Sequence, residues 1–234
     1  MEPNITVNNI IYQKIPLLSN SNLTAQEKEE LLQNIIISEY EKNDYIIKKG
    51  QIPVGLICLL AGKVKIFQEG VSNREQIVRL AKPGGFIGYR ALFAEQLYFS
   101  TAIALENSVV CTIKKEPLFK IMNNNSKLTF EILRSLALEL GVSNVRTINL
   151  TQKHVRGRLA EGLLFLIETY GYKADKQTIN ACLTREDIAS LCNMTTSNAI
   201  RILSMFSEEK LIELNKKDIK IVNYAELQHI SNIG

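Results

Sequence analysis

The sequence predicts an α+β chain: a sheet-built N-terminal part, a helical C-terminal part, and one long helix between them. Three observations carry this. Between Ser38 and about Ile113, short apolar runs alternate with turn residues, the pattern of a β-sandwich or barrel. From about Ser126 to Thr151, apolar residues recur at helical spacing with no proline. Beyond Val155 the pattern is one of amphipathic helices, two of them meeting at a tight turn.

The strand runs are Tyr45–Ile47, Leu56–Leu60, Val64–Phe67, Gln76–Leu80, Thr101–Leu105 and Val109–Ile113. The breaks between them include Lys49-Gly50, Ala61-Gly62, Glu69-Gly70, Pro83-Gly84-Gly85 and Glu106-Asn107. Ahead of them, Thr24 and Glu27 have capping-box spacing and open a helix that extends to about Ile35. Lys115–Met122 reads as a short helix that tolerates Pro117 in its first turn, followed by a polar break at Met122–Ser126. The long helix carries a stripe of Leu128, Ile132, Leu133, Leu136, Leu140, Val145 and Ile148, with Gly141 its only glycine. At ~1.5 Å per residue it is ~37 Å long, more than a small domain needs, so it is expected to pair with a second copy. The expected division is 1–125 for the sheet domain, 126–152 for the dimerisation helix and 153–234 for the C-terminal domain.

With 234 residues, 46% apolar and 22% charged, the chain has core material for two domains. No window approaches the ~18 apolar residues of a membrane span. Met1–Ile11 is polar and does not read as a signal peptide, so a cytoplasmic location is expected. The net charge of +4 is not segregated: from Thr151 onward, 11 Lys and Arg face 10 Asp and Glu. Bulk charge therefore does not identify a partner, and any such reading rests on individual positions. Cys58, Cys111, Cys182 and Cys192 are scattered, with no C-x-x-C pair, and read as reduced, mostly buried thiols. His154 and His229 stand far apart. No metal, cofactor or catalytic residue is assigned.

Helix Val155–Glu168 is followed by a polar loop, Gly171–Asn180, three helical pieces, and a short basic ending, Asn215–Val222, that looks like a two-stranded hairpin. Within this part, Leu183–Phe206 carries the functional signal. Thr184 and Asp187 pair as a capping box, and Ile188 and Leu191 point inward. Ala189 permits close helix crossing. Asn193 suits a left-handed turn, and Met194 anchors it. Thr195 caps a second helix with a buried stripe of Ala199, Ile202, Leu203 and Phe206. Thr196, Ser197, Asn198 and Arg201 stay outward and offer the groups that read base edges in a major groove. Lys216, Lys217 and Lys220 on the following hairpin would form a wing against phosphates.

These residues resemble the Crp/Fnr superfamily of transcription regulators. Leu183–Leu191 resembles the first helix of the family's motif, and Lys49-Gly50, Ala61–Val64 and Pro83–Gly88 match its β-roll glycine positions. The resemblance implies a cupin-like β-roll (a double-stranded jelly roll), a long dimerisation helix and a winged helix-turn-helix. It places base contacts at Thr196, Ser197 and Arg201 and backbone contacts at Thr184 and Arg185, joined by Lys216 and Lys217 of the wing. It implies a homodimer on a palindromic duplex operator, with RNA polymerase as a partner and an effector that shifts the population between two arrangements.

The effector site departs from the family pattern. Candidate pocket residues are Gly88, Tyr89, Arg90, Phe99, Ser100, Ser143 and Asn144. Tyr89 stands where cyclic-AMP-binding members have a glutamate, and Phe99 stands where they have an arginine. Losing that arginine removes the cation that would neutralise a buried phosphate, so an effector other than cyclic AMP, or none, is expected. Oxygen sensors of the family carry an N-terminal cysteine cluster, and no cysteine precedes Cys58. A cupin-type enzyme is the rival class. Such enzymes cluster His and Glu around a metal, and Ser38–Ile113 contains no histidine.

Overall fold

A computed structural model of the chain describes residues 15–19, 22–70, 74–181 and 183–234. Met1–Ile11 and Cys182 lie outside the described residues. The chain forms two compact units. One comprises the residues up to Gln68 with Arg79–Glu139; the other comprises Glu69–Val78 with Leu140–Gly234.

The first unit holds α1 (Ala25–Leu32), β1 (Ile35–Tyr40), β2 (Tyr45–Ile47), β3 (Gly55–Ala61), β4 (Val64–Glu69), β5 (Glu75–Ala81, completed from the second unit), β6 (Phe86–Ile87), α2 (Tyr89–Phe93), β7 (Thr101–Ala104), β8 (Ser108–Lys114) and α3 (Lys115–Asn124). Its strands form two four-stranded sheets, ordered β1-β8-β3-β6 and β2-β7-β4-β5. Ile47, Ile57, Leu59, Val64, Ala102 and Val110 come from both sheets and share one buried cluster. The alternate residues Leu56, Cys58 and Leu60 pack on the other side of β3, against α1, α3 and the start of the long helix. Strand β3 is thus covered on both faces, which is why its sequence is a continuous apolar run rather than an alternating one. The Thr24–Glu27 capping box is present in full.

The sequence reading missed three elements here. Ile35, read as the end of a helix, instead starts β1, which pairs antiparallel with β8 from Ile35↔Ile113 to Tyr40↔Ser108. Three β-branched residues in a row favour a strand once a partner edge is available. Strand β6 and helix α2 are too short to leave a periodicity.

The long helix α4 runs unbroken from Ser126 to Gln152. Its apolar residues spread over three sides rather than the single expected stripe, with Leu138, Val142 and Val145 exposed on the third. Leu128, Ile132 and Leu136 lie on the inner row, with Leu128 fully buried. Phe130, Leu133, Leu140, Val145 and Ile148 are all more than half exposed. Phe130, Leu133, Ala137, Leu140 and Asn144 follow three-four spacing along the outer side.

The second unit continues with α5 (Val155–Tyr170), α6 (Arg185–Leu191), α7 (Thr196–Glu208), β9 (Ile212–Asn215), β10 (Asp218–Ile221) and α8 (Tyr224–Ile233). Two helices, not three, lie between the Gly171–Asn180 loop and the hairpin, and the hairpin is not the ending. Asn223 caps α8 by accepting the Glu226 amide at 3.0 Å, and α8 packs along α5. Gly162 of α5 lets α6 come close: a Cβ there would meet Cys192 Sγ at 2.3 Å.

Candidate nucleic-acid interface

Helices α6 and α7 are built from local signals that the sequence displays. Thr184 Oγ1 accepts the Asp187 amide at 3.0 Å, and Asp187 Oδ2 accepts the Thr184 amide at 3.0 Å. Two otherwise unpaired helix-end donors are thereby satisfied. The helix stops at Cys192, and Asn193 takes φ +49°, the left-handed conformation an asparagine accepts at low cost. Arg158 Nη1 donates to Asn193 O at 2.6 Å and fixes the turn from α5. Met194 is buried beneath it. Thr195 Oγ1 accepts the Asn198 amide and starts α7.

Helix α7 buries Ala199, Ile202, Leu203 and Phe206, the expected stripe. Thr196, Ser197 and Arg201 are exposed, and Asn198 is half-buried. Arg201 Nη1 rests against Met205 Sδ at 3.8 Å, a weak contact that costs little to leave. Among the described residues no carboxylate pairs with it, so its charge is available to a base edge.

The backbone-contact candidates divide. The Thr184 hydroxyl accepts the Asp187 amide and donates to Asp187 Oδ2 at 2.7 Å, so the cap already uses it. Arg185 Nη2 donates to Lys216 O at 2.9 Å and ties the start of α6 to the wing turn. Its Nη1 is buried and, among the described residues, has no partner; burial pushes the guanidinium pKa down. Lys216 and Lys217 are exposed at the hairpin tip. Lys220 is instead engaged across the strands with Glu213 at 3.0 Å.

A second set of contacts holds α6 from behind. The Ser190 hydroxyl donates to Glu75 O and accepts the Ile77 amide, both at 2.9 Å. Gln76 Nε2 donates to Ser190 O at 2.6 Å. Arg146 of α4 donates to Ile77 O at 3.0 Å, Val78 O at 3.1 Å and Leu191 O at 3.3 Å, and stacks over Phe165. These pairs link residues far apart in sequence, and nothing local announced them.

In the first unit the candidate effector residues do not line one cavity. Tyr89 lines a cleft of about 160 Å³ with Phe86, Ile132, Leu136 and Glu139. Phe99 lines a separate groove with Ile52, Pro53 and Leu97, and Arg90 stacks on it at 5.2 Å. Ser100 Oγ accepts from Gln68. Gly88 sits at φ +70° against the buried Tyr98, whose Cε1 lies 2.5 Å from where a Cβ would be. Burial pushes the Tyr98 phenol up to about 12. Sequence reasoning also missed Arg79, which donates to Phe86 O at 2.9 Å and Glu139 at 2.7 Å and stacks on Tyr89 at 4.9 Å. Burial lowers its pKa, and Glu139 opposes that. Ser143 and Asn144 are exposed on α4.

Comparison with known proteins decides the family. Residues 37–125 match the cyclic nucleotide-binding domain, and residues 157–230 match the Crp-like helix-turn-helix domain. The chain belongs to the Crp/Fnr superfamily of transcription regulators. Among its Crp/Fnr relatives, the fumarate and nitrate reduction regulatory protein of Vibrio cholerae is 26% identical, aligned over 83% of this chain and 78% of the relative. Electron transport regulator A of Shewanella oneidensis is 29% identical over 80% of this chain and 75% of its own length. The fold is shared with a Crp/Fnr-family protein from Eubacterium rectale (TM-score 0.77, 18% identity, covering 94% of this chain and 99% of that one). It is also shared with FixK2 from Bradyrhizobium japonicum (TM-score 0.75, 19% identity, covering 84% and 96%). Crp/Fnr regulators bind DNA and act as dimers. The chain is a DNA-binding regulator of this kind, not an enzyme, and the cupin-enzyme alternative falls away. No helix among the described residues is long and apolar enough to cross a membrane.

Proposed function

We propose that the chain acts as a cytoplasmic homodimer on a palindromic duplex operator, with one α7 in each of two successive major grooves. The carrying observation is a recognition helix capped by Thr195 and anchored by Ala199, Ile202, Leu203 and Phe206, with Thr196, Ser197 and Arg201 left facing outward. Arg201 reads a guanine, and Thr196 and Ser197 contact neighbouring base edges. Lys216 and Lys217 meet phosphates. Arg185 holds the wing turn and adds charge beside it. The three-four row on the outer side of α4 supports pairing with a second copy. Regulation runs through an effector other than cyclic AMP, in keeping with Tyr89 and Phe99 at the family's glutamate and arginine positions and with the Tyr98 ring packed against Gly88. RNA polymerase is the partner through which a bound dimer would act.

The test is selection of bound sites from a random duplex pool. The expected product is a two-fold site with half-sites about one helical turn apart. Arg201→Ala is expected to cost about 1–3 kcal/mol and to relax preference at one base pair per half-site. An unchanged selected site in that variant would remove Arg201 from the readout. Binding should weaken steeply with salt, and Lys216→Ala with Lys217→Ala should flatten that slope. Cyclic AMP is expected to leave operator affinity unchanged.

A further inference from the structure

The outward arc of α7 contains one residue that the readout above leaves unused. At about 100° per residue, the exposed side chains of the Thr196–Ser204 stretch run around the helix in the order Thr196, Ile200, Ser204, Ser197, Arg201. Four of the five can hydrogen-bond. Ile200 is branched and apolar, 48% exposed, and faces away from the buried stripe of Ala199, Ile202 and Leu203. The chain's own core gives it no role. As a β-branched residue on a solvated helix face it is also a poorer helix former than alanine. It lies in the same turn as Arg201, in the N-terminal half of the helix, the part a recognition helix sets against base edges. The major-groove edges of the four base pairs present donors and acceptors, and one apolar group, the thymine 5-methyl.

We infer that Ile200 is a specificity-determining residue that packs on the methyl group of a thymine beside the guanine read by Arg201. This rests on the DNA-reading function proposed above and adds the second base to it. Serine or alanine at position 200 would leave that methyl against water. Isoleucine buries it, so the site prefers thymine over cytosine at that step without forming a hydrogen bond.

The experiment uses the full-length protein and the operator it selects from the random pool. Each thymine is replaced singly by deoxyuridine, which keeps every hydrogen-bonding group and removes the methyl. For the wild-type chain, one thymine per half-site is expected to be sensitive. Loss of its methyl should weaken binding about fourfold, the worth of one buried methyl. Ile200→Ala should bind the thymine operator about fourfold more weakly and be indifferent to deoxyuridine at that position. Because Ile200 is exposed and alanine is the better helix former, the variant's unfolding midpoint should not fall. The inference is overturned if the wild type binds every deoxyuridine-substituted operator as tightly as the parent, or if Ile200→Ala keeps the methyl sensitivity. Failure of the wild-type chain to select any site would sink the DNA-reading function itself, and this inference with it.

Discussion

At the scale of single residues, the interface depends on side chains that hold backbone rather than ligand. Asn193 turns the chain between α6 and α7 at φ +49°, and its carbonyl is pinned by Arg158. A left-handed backbone costs an ordinary L-residue roughly 1–2 kcal/mol, which glycine avoids. Asn193→Ala should therefore destabilise the chain by about 1 kcal/mol in urea unfolding, while Asn193→Gly should stay near wild type. Equal losses in both variants would mean that the asparagine side chain, not the turn conformation, matters. The thiols make a second residue-scale prediction. Cys58 and Cys111 face each other across β3 and β8, both fully buried, and burial pushes each up to about 12, as it does for Cys192. Only the thiolate reacts, so at pH 8 these three should resist iodoacetamide in the folded protein and react once it is unfolded. Mass spectrometry resolved by residue checks this, and rapid native labelling of any of the three would contradict the packing described.

At the scale of elements, the first helix of the motif is propped by the Glu75–Ile77 segment of the same unit. The Ser190 hydroxyl serves both the Ile77 amide and the Glu75 carbonyl, and Ile77 is fully buried. Ser190→Ala removes the hydroxyl that accepts the buried Ile77 amide, at a cost of about 1–3 kcal/mol. The expected signature is faster amide exchange at Ile77, with the mid-helix amides of α4 unchanged; protected exchange at Ile77 would show that another group holds the segment. This contact also marks the limit of what the sequence discloses. Capping boxes at Thr24 and Thr184, the turn at Asn193 and the α7 stripe are each encoded within eight residues or fewer, and the sequence reading found each of them. Strand β1 escaped because its identity is decided by β8, more than seventy positions away. Helix α8 left a readable trace in the Asn223–Glu226 cap spacing and in Leu227 and Ile230, beyond Val222, where the sequence reading stopped. The Arg79–Glu139 pair spans 60 positions and the Ser190–Ile77 bond spans 113, so no local pattern could expose either. Ile200 carries no hydrogen-bonding group, so a search of the outward face for polar side chains passes over it.

At the scale of the molecule, the pairing proposed above makes the outer row of α4 the feature that determines whether one chain can act alone. Phe130, Leu133, Leu140 and Ile148 expose far more apolar surface along a single helix than scattered surface residues would. Covering that row with a second copy buries roughly 1.5–3 kcal/mol per large side chain. It also sets two recognition helices at a fixed spacing, so that the second half-site is engaged at high effective concentration. Leu140→Glu places a carboxylate opposite its own copy at the middle of this row, where it would be desolvated beside a like charge. The variant should sediment as a monomer at concentrations where the wild type is dimeric. Its affinity for the full operator should fall by at least about a hundredfold, toward that of a single half-site. Its affinity for an isolated half-site should stay unchanged, because α7 and the wing are intact. A variant that sedimented as a monomer yet bound the full operator as tightly as the parent would separate pairing from recognition and overturn the dimeric reading.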